Sequence, residues 1–302
     1  MNASPNYLQA LPIVALLSLF WGVNAVASRF GISEFDPYFF ITLRLALASL
    51  VFWPILYLTQ GKLPTDKKLW RQASLSGILG VAIPIPTFIL SLQYQSSGVA
   101  SLYVITLPVM LVIAAHFILP DEKMTRPKAL GVGLAICGTL LLALRGESGL
   151  ADVGRASPIG FFLVVGGLVF EVCNTMFVRT QMRNTDPMQV TAIRLLVATA
   201  VVFIVTIFLG DFSLANVTRS GYLTLGYAAF IGALAAQFLA FYIQRTYGAT
   251  AFSLNSFLVP IFATVTGALW LNEIITQTML IGMFLIGSGL YLINFMPNKR
   301  NK

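Results

Sequence analysis

The sequence predicts an all-α membrane protein: ten transmembrane helices arranged as two inverted five-helix repeats. Composition is the first observation. Of 302 residues, 57% are hydrophobic and 10% charged, whereas about a quarter of an ordinary soluble domain is charged. The second is an internal repeat. Asp36-Pro37 followed by Arg44 returns 150 residues later as Asp186-Pro187 followed by Arg194, and Asn24 returns as Asn174. At an offset of 151, Glu122, Gly131 and Gly138 return as Glu273, Gly282 and Gly289. The third is a count. Each half holds five spans, an odd number, so homologous halves must enter the membrane from opposite sides.

A helix needs ~20 mostly apolar residues to cross the hydrocarbon core, and ten segments meet that length. The first, 8–28, is expected to be retained. Ala25-Val26-Ala27 looks like a cleavage site, but residues 1–7 carry no Lys or Arg, so the positive start of a signal peptide is missing. Span 2, 37–59, opens at Asp36-Pro37 and ends before a turn-rich link from Gly61 to Asp66. Span 3, 73–94, contains Pro84 and Pro86. Span 4, 97–118, contains Pro108 and the lone His116. Asp121-Glu122-Lys123 separate it from span 5, 128–144. The second half repeats the series as 158–180, 187–209, 221–243, 247–270 and 276–295.

Charge orients the spans. With the N-terminus in the cytoplasm, 13 Lys and Arg face inward and 4 face outward. That bias follows the positive-inside rule and puts both termini in the cytoplasm. It also explains the net charge of +8 without nucleic acid, because the basic residues form no single face. Cys137 and Cys173 lie inside apolar spans without metal-like spacing and read as small packing residues. One histidine makes no metal site, and an interfacial or hydrogen-bonded role is expected for it. No phosphate-binding loop is present, so ATP is not a direct energy source. No cofactor is expected.

Polar residues inside the spans are the candidates for function. Glu171 is the one acid of 11 within a span. It lies near the middle of its helix, with Asn174 one turn away on the same face. An intramembrane acid is costly and marks a functional site by default. Proton coupling, a substrate ammonium and a structural hydrogen bond all remain open for it. Arg44 and Arg194 lie two turns inside their spans, close enough to a membrane face to snorkel, and are expected to clamp or gate, with direct substrate contact as the alternative. Asn24, Asn174, Gln237 and Asn255 can pack helices or line a cavity. Trp21 and Tyr103 can form an aromatic wall or face lipid. Pro84, Pro86, Pro108 and Pro260 remove helix hydrogen bonds and can free carbonyls toward a cavity. Gly131, Gly138, Gly282 and Gly289, two turns apart in spans 5 and 10, suit close helix packing.

These features resemble the drug/metabolite transporter superfamily, in its EamA-type ten-span branch. The resemblance rests on Trp21-Gly22-Val23-Asn24 and on the duplicated Asp-Pro-x6-Arg. It rests also on Pro108 and Pro260, 13–14 residues before Glu122 and Glu273, each Glu being followed by Gly-x6-Gly. It covers nearly the whole chain, as two EamA-like repeats over 1–150 and 151–302. One departure stands out: Glu171 occupies the place of Trp21.

The resemblance implies a multi-pass protein of the cytoplasmic (inner) membrane that exports small organic metabolites, amino-acid-like or related, by alternating access. It also implies a central cavity lined by spans 1, 3, 4, 6, 8 and 9. Trp21, Asn24, Tyr103, Glu171, Asn174, Gln237 and Asn255 are the substrate-binding candidates. Glu171, Arg44 and Arg194 are the coupling or gating candidates. The expected partners are a small-molecule substrate, the bilayer and protons, with no nucleic acid, in a monomer or homodimer. A facilitative channel or uniporter is the alternative. A membrane-embedded enzyme would need convergent acids, histidines or a metal site, which this chain does not offer.

Overall fold

The computed structural model describes residues 7–119, 123–151, 153, 155–182, 184–215 and 217–295. Among the described residues, ten helical stretches are long and apolar enough to cross a membrane, and no strand occurs. Large apolar side chains lie bare on their outer surfaces. Leu58 is 82% exposed and Phe208 79%, which suits a hydrocarbon solvent and not water. Cys137 and Cys173 are exposed as well. That corrects their reading as packing residues, since both lie on faces that no neighbouring helix covers.

We number the helices α1 (Tyr7–Glu34), α2 (Pro37–Gln60), α3 (67–91), α4 (97–118), α5 (Arg126–Arg145), α6 (Pro158–Gln181), α7 (Pro187–Leu209), α8 (219–253), α9 (Asn255–Leu271) and α10 (Gln277–Phe295). The duplicated Asp-Pro is a helix start. Asp36 accepts from the backbone N–H of Tyr38 and Phe39 at 3.0 Å. Asp186 does the same for Met188 at 2.8 Å and Gln189 at 3.4 Å. Proline follows as the first helical residue, where its missing N–H costs nothing. Gly61 ends α2 with a φ of 65°, a left-handed conformation that glycine adopts without strain.

The prolines act unequally. In α3 a π-helical segment, Ile78–Ala82, precedes Pro84. α4 breaks at Ile105, three residues before Pro108. Pro260 stays inside an unbroken α9. A second π-helical segment, Tyr227–Ala235, lies in α8 at the place in the repeat that matches the first. The expected link at 244–246 is helical, and the turn comes at Leu254. Its counterpart in the first half carries Ser96, whose hydroxyl caps a new helix at the Val99 N–H. Gln244 and Arg245 instead favour continuing the helix.

The chain forms two compact units, each drawing on both halves of the sequence. One contains residues 1–26, 94–162 and 236–302, the other 27–93 and 163–235. Within the first unit, α5 and α10 run antiparallel through their glycines. A Cβ added at Gly131 would lie 2.5 Å from the Gly289 carbonyl oxygen, and one at Gly138 would lie 3.0 Å from the Gly282 carbonyl oxygen. Each contact is the symmetry counterpart of the other, as a two-fold relation requires.

α4 and α9 pair similarly, with Gly98 against Thr264 and Ser97 bound to Glu273 just beyond α9. In the second unit, Thr42 and Thr206 share a hydroxyl hydrogen bond of 2.8 Å. At the other end of the same pair, Gln60 donates to Asp186 at 2.7 Å. α2 and α7 are therefore antiparallel too. Corresponding helices of the two halves run in opposite senses, so the repeat is inverted.

Candidate functional site

Three polar candidates of the second unit, Glu171, Asn174 and Arg194, gather around α3, and the reason lies in its sequence. Pro84 has no N–H to give the carbonyl four residues earlier, that of Gly80. The Ile83 N–H reaches back five residues to Ile78 at 3.2 Å, the spacing of a π turn. Arg194 of α7 then donates from Nη2 to the Gly80 carbonyl at 3.4 Å. Glycine is needed here for room. A Cβ at Gly80 would stand 2.6 Å from Arg194 Nη2 and from Asn174 Cγ, and one at Gly77 would stand 3.0 Å from the Arg194 backbone.

α6 completes the cluster. At Gly167 it passes so close that a Cβ would meet Thr87 and lie 3.3 Å from Pro84 Cα. One turn on, Glu171 accepts a long 3.5 Å hydrogen bond from Asn174 Nδ2, and Asn174 Oδ1 accepts from the Ser76 hydroxyl at 2.7 Å. Arg194 and Glu171 act on each other's charge. Asn174 is buried, while Glu171 and Arg194 are half-buried. Glu171 follows the start of α6 by 13 residues, about 20 Å along the helix axis, which is mid-membrane depth. An acid, a guanidinium and an amide thus meet at one irregular backbone segment. Such a set can exchange a proton and can bind groups of either charge.

Arg44 is placed differently. It is 6% exposed and donates from Nη1 to Ser28 Oγ of α1 at 3.1 Å, joining α1 to α2.

The remaining candidates belong to the first unit. Trp21 stacks edge-on against Phe252, with ring centroids 6.1 Å apart. Tyr103 is buried and packs edge-on against Phe161 at 5.1 Å. Asn24 Oδ1 and Asn255 Nδ2 are buried without a protein partner, and such groups call for explanation. Gln237 is exposed. His116 accepts from the Met124 N–H at 3.0 Å through Nδ1, the hydrogen-bonded role expected for it. Glu122 lies outside the described residues. Among the described residues, His, Cys, Asp and Glu side chains form no group of three able to hold a metal ion.

Sequence reasoning did not find Ser76 or the Gly80 carbonyl as partners of the cluster. Pro84 was the available signal, because it names the carbonyl that loses its donor. A direct prediction follows. Gly80→Ala should push Arg194 and Asn174 apart and cost about 1–3 kcal/mol of stability, while Gly226→Ala, in open space, should leave stability unchanged. Thermal unfolding in detergent measures both.

Comparison with known proteins bears on the family and the fold. The EamA-like transporter family matches residues 9–144 and again 158–295. The "Uncharacterized transporter YoaV" of Bacillus subtilis (strain 168) is 28% identical over 291 residues, covering 94% of this chain and 96% of that protein. The "WAT1-related protein At3g02690, chloroplastic" of Arabidopsis thaliana is 24% identical over 283 residues, 91% of this chain and 67% of that protein. The "Uncharacterized inner membrane transporter YedA" of Escherichia coli (strain K12) is 24% identical over 269 residues, 87% and 84% respectively. A crystal structure with a TM-score of 0.67 and 17% identity covers 96% of this chain and 99% of its own, which speaks for the fold alone. Ten membrane helices, an inverted duplication and a match over both halves agree: the chain is a multi-pass membrane protein and belongs to the EamA-like transporter family.

Proposed function

We propose that this transporter is a secondary carrier that exports small organic metabolites across the cytoplasmic membrane by alternating access, with proton exchange as its coupling. The observation that carries this reading is the Glu171–Asn174–Arg194 cluster at the π-helical segment of α3. A half-buried acid within a membrane span is expensive and is kept for ion or substrate work. π-helical segments recur at functional sites. Here Glu171 carries the proton, Arg194 balances its charge, and Asn174 holds the carboxylate while Ser76 orients the amide.

Trp21, Asn24, Tyr103, Gln237 and Asn255 are proposed to contact substrate. For Asn24 and Asn255 the support is a buried polar atom that no protein group satisfies. Small amphipathic metabolites, amino-acid-like or related, suit these amide and aromatic groups. Localisation in the cytoplasmic membrane is supported by the likeness to YedA, whose name calls it an inner membrane transporter. The charge bias of the links supports cytoplasmic termini, and reporter fusions at residues 1 and 302 test that orientation. The chemistry requires no enzyme activity, no cofactor and no nucleic acid, and a monomer or homodimer suffices.

The test begins with a thermal-shift screen of purified protein against amino acids, nucleosides and other metabolites, since a ligand that binds the folded state raises its stability. Hits then go to counterflow of labelled substrate in proteoliposomes. Saturable counterflow supports a carrier. Flux that rises linearly with concentration and shows no counterflow supports the facilitative channel instead, and chemical conversion of the substrate would reveal an enzyme.

A further inference from the structure

Arg44 and Arg194 occupy matching places in the two halves, yet their surroundings differ. Arg194 shares its cluster with Glu171. The residue that matches Glu171 in the first half is Trp21, which carries no charge. Arg44 is the more deeply buried of the two, at 6% exposure, and among the described residues no acidic side chain acts on it. Its hydrogen bond goes from Nη1 to the fully buried Ser28 Oγ, and its buried Nε has no partner. Ile41 and Leu45, one turn before it and next to it on α2, belong to a buried apolar cluster with Phe40, Val202 and Leu225.

A guanidinium within a membrane span, held among apolar groups and lacking a counter-charge, is strongly unfavourable. The balance is restored if an anion binds. The Nε edge of a guanidinium presents two N–H groups side by side and suits two oxygens of one anion. Ser28 accepts from Nη1, which anchors the guanidinium and leaves the Nε edge free. The apolar surroundings strengthen each of these bonds.

We propose that Arg44 forms a binding site for an oxyanion, a carboxylate or phosphate group held by its Nε edge, while Ser28 anchors the guanidinium through Nη1. The site is separate in composition from the Glu171 cluster and stands whether or not Glu171 carries a proton. Arg44 lies seven residues into α2, about 10 Å from its start. A soluble anion and the phosphate of a lipid headgroup are the two sources to distinguish at that depth.

Thermal unfolding of the purified full-length protein in detergent tests the site. Sodium phosphate or sodium acetate is added at ionic strength held constant with sodium chloride, and phosphatidylglycerol is added in a separate series. The wild-type Tm should rise saturably. A rise with phosphate or acetate assigns the oxyanion to a soluble source, and a rise with phosphatidylglycerol alone assigns it to the headgroup. Arg44→Gln should abolish the response and, without added oxyanion, be at least as stable as wild type, because it removes a buried charge. Arg44→Lys keeps the charge without the two-nitrogen edge and should weaken apparent affinity roughly tenfold, which covers the case in which glutamine disturbs packing. A folded variant that responds like wild type, or a wild type indifferent to all three probes, overturns the proposal.

Discussion

Gly289→Leu is expected to abolish accumulation of folded protein. At this position α10 lies directly on α5. A Cβ would meet the Gly131 carbonyl and stand 2.9 Å from Ala135 N and 3.0 Å from Ala135 Cβ. The neighbours at Gly131 and Ala135 are backbone atoms and a short side chain, which cannot rotate away. Overpacking by even a methyl group costs about 1–3 kcal/mol, and a leucine must force the two helices apart along their length. Association between membrane helices depends on such close approach, because lipid offers no hydrophobic drive to hold them together.

Gly131→Leu should fail in the same way, since it strikes the same crossing from the partner helix. Gly133→Leu is the control, because nothing lies within 4 Å of its Cβ. Its effect should stay within about 0.5 kcal/mol. Size-exclusion chromatography and thermal unfolding in detergent distinguish the outcomes, and a Gly289→Leu protein that is monodisperse with wild-type Tm contradicts the packing described here.

Glu273→Ala should cost about 3 kcal/mol and loosen α4 from α9. Glu273 is 7% exposed. It accepts from the Ser97 N–H at 2.9 Å, the Ser97 hydroxyl at 2.8 Å and the Gly98 N–H at 3.3 Å. It therefore satisfies the first donors of α4, at the positive end of that helix's dipole. Alanine leaves those donors buried and unpaired, at about 1–3 kcal/mol for each group. Glu273→Gln keeps one acceptor oxygen and should be distinctly milder. Equal stabilities for the alanine and glutamine variants would show that the carboxylate contributes no more than bulk.

Much of this fold can be read from residue order, because hydropathy and repetition are both local. Ten apolar stretches separated by Gly, Pro and charge appear without any tertiary information. The recurrence of Asp-Pro, Arg and Gly-x6-Gly at a nearly constant offset fixes the duplication, and the odd span number then demands inversion. The glycines of α5 and α10 were legible as packing residues for the same reason.

Other features depend on which helices meet, and adjacency in the chain does not reveal that. Compact units that mix both halves arise because α2 pairs with α7 and α5 with α10, across most of the sequence. Ser76 looks like any small residue of α3 until Asn174 is placed opposite it. The π-helical segment at 227–235 has no proline to announce it, whereas the one at 78–82 does. Glu273 was visible as a repeated residue, but its role at the start of α4 required the structure. Cys137 and Cys173 were misjudged because a span's outward face and its packed face are equally apolar when lipid is the solvent.

In the function proposed here, a carrier of two inverted halves couples transport to Glu171. Proton movement measured alongside substrate flux in proteoliposomes tests it most directly, comparing wild type with Glu171→Gln. Wild type should accumulate substrate against its gradient when a proton gradient is imposed. Glu171→Gln should keep substrate counterflow but lose both gradient-driven accumulation and proton movement. Accumulation and proton flux in Glu171→Gln equal to those of wild type would contradict the account.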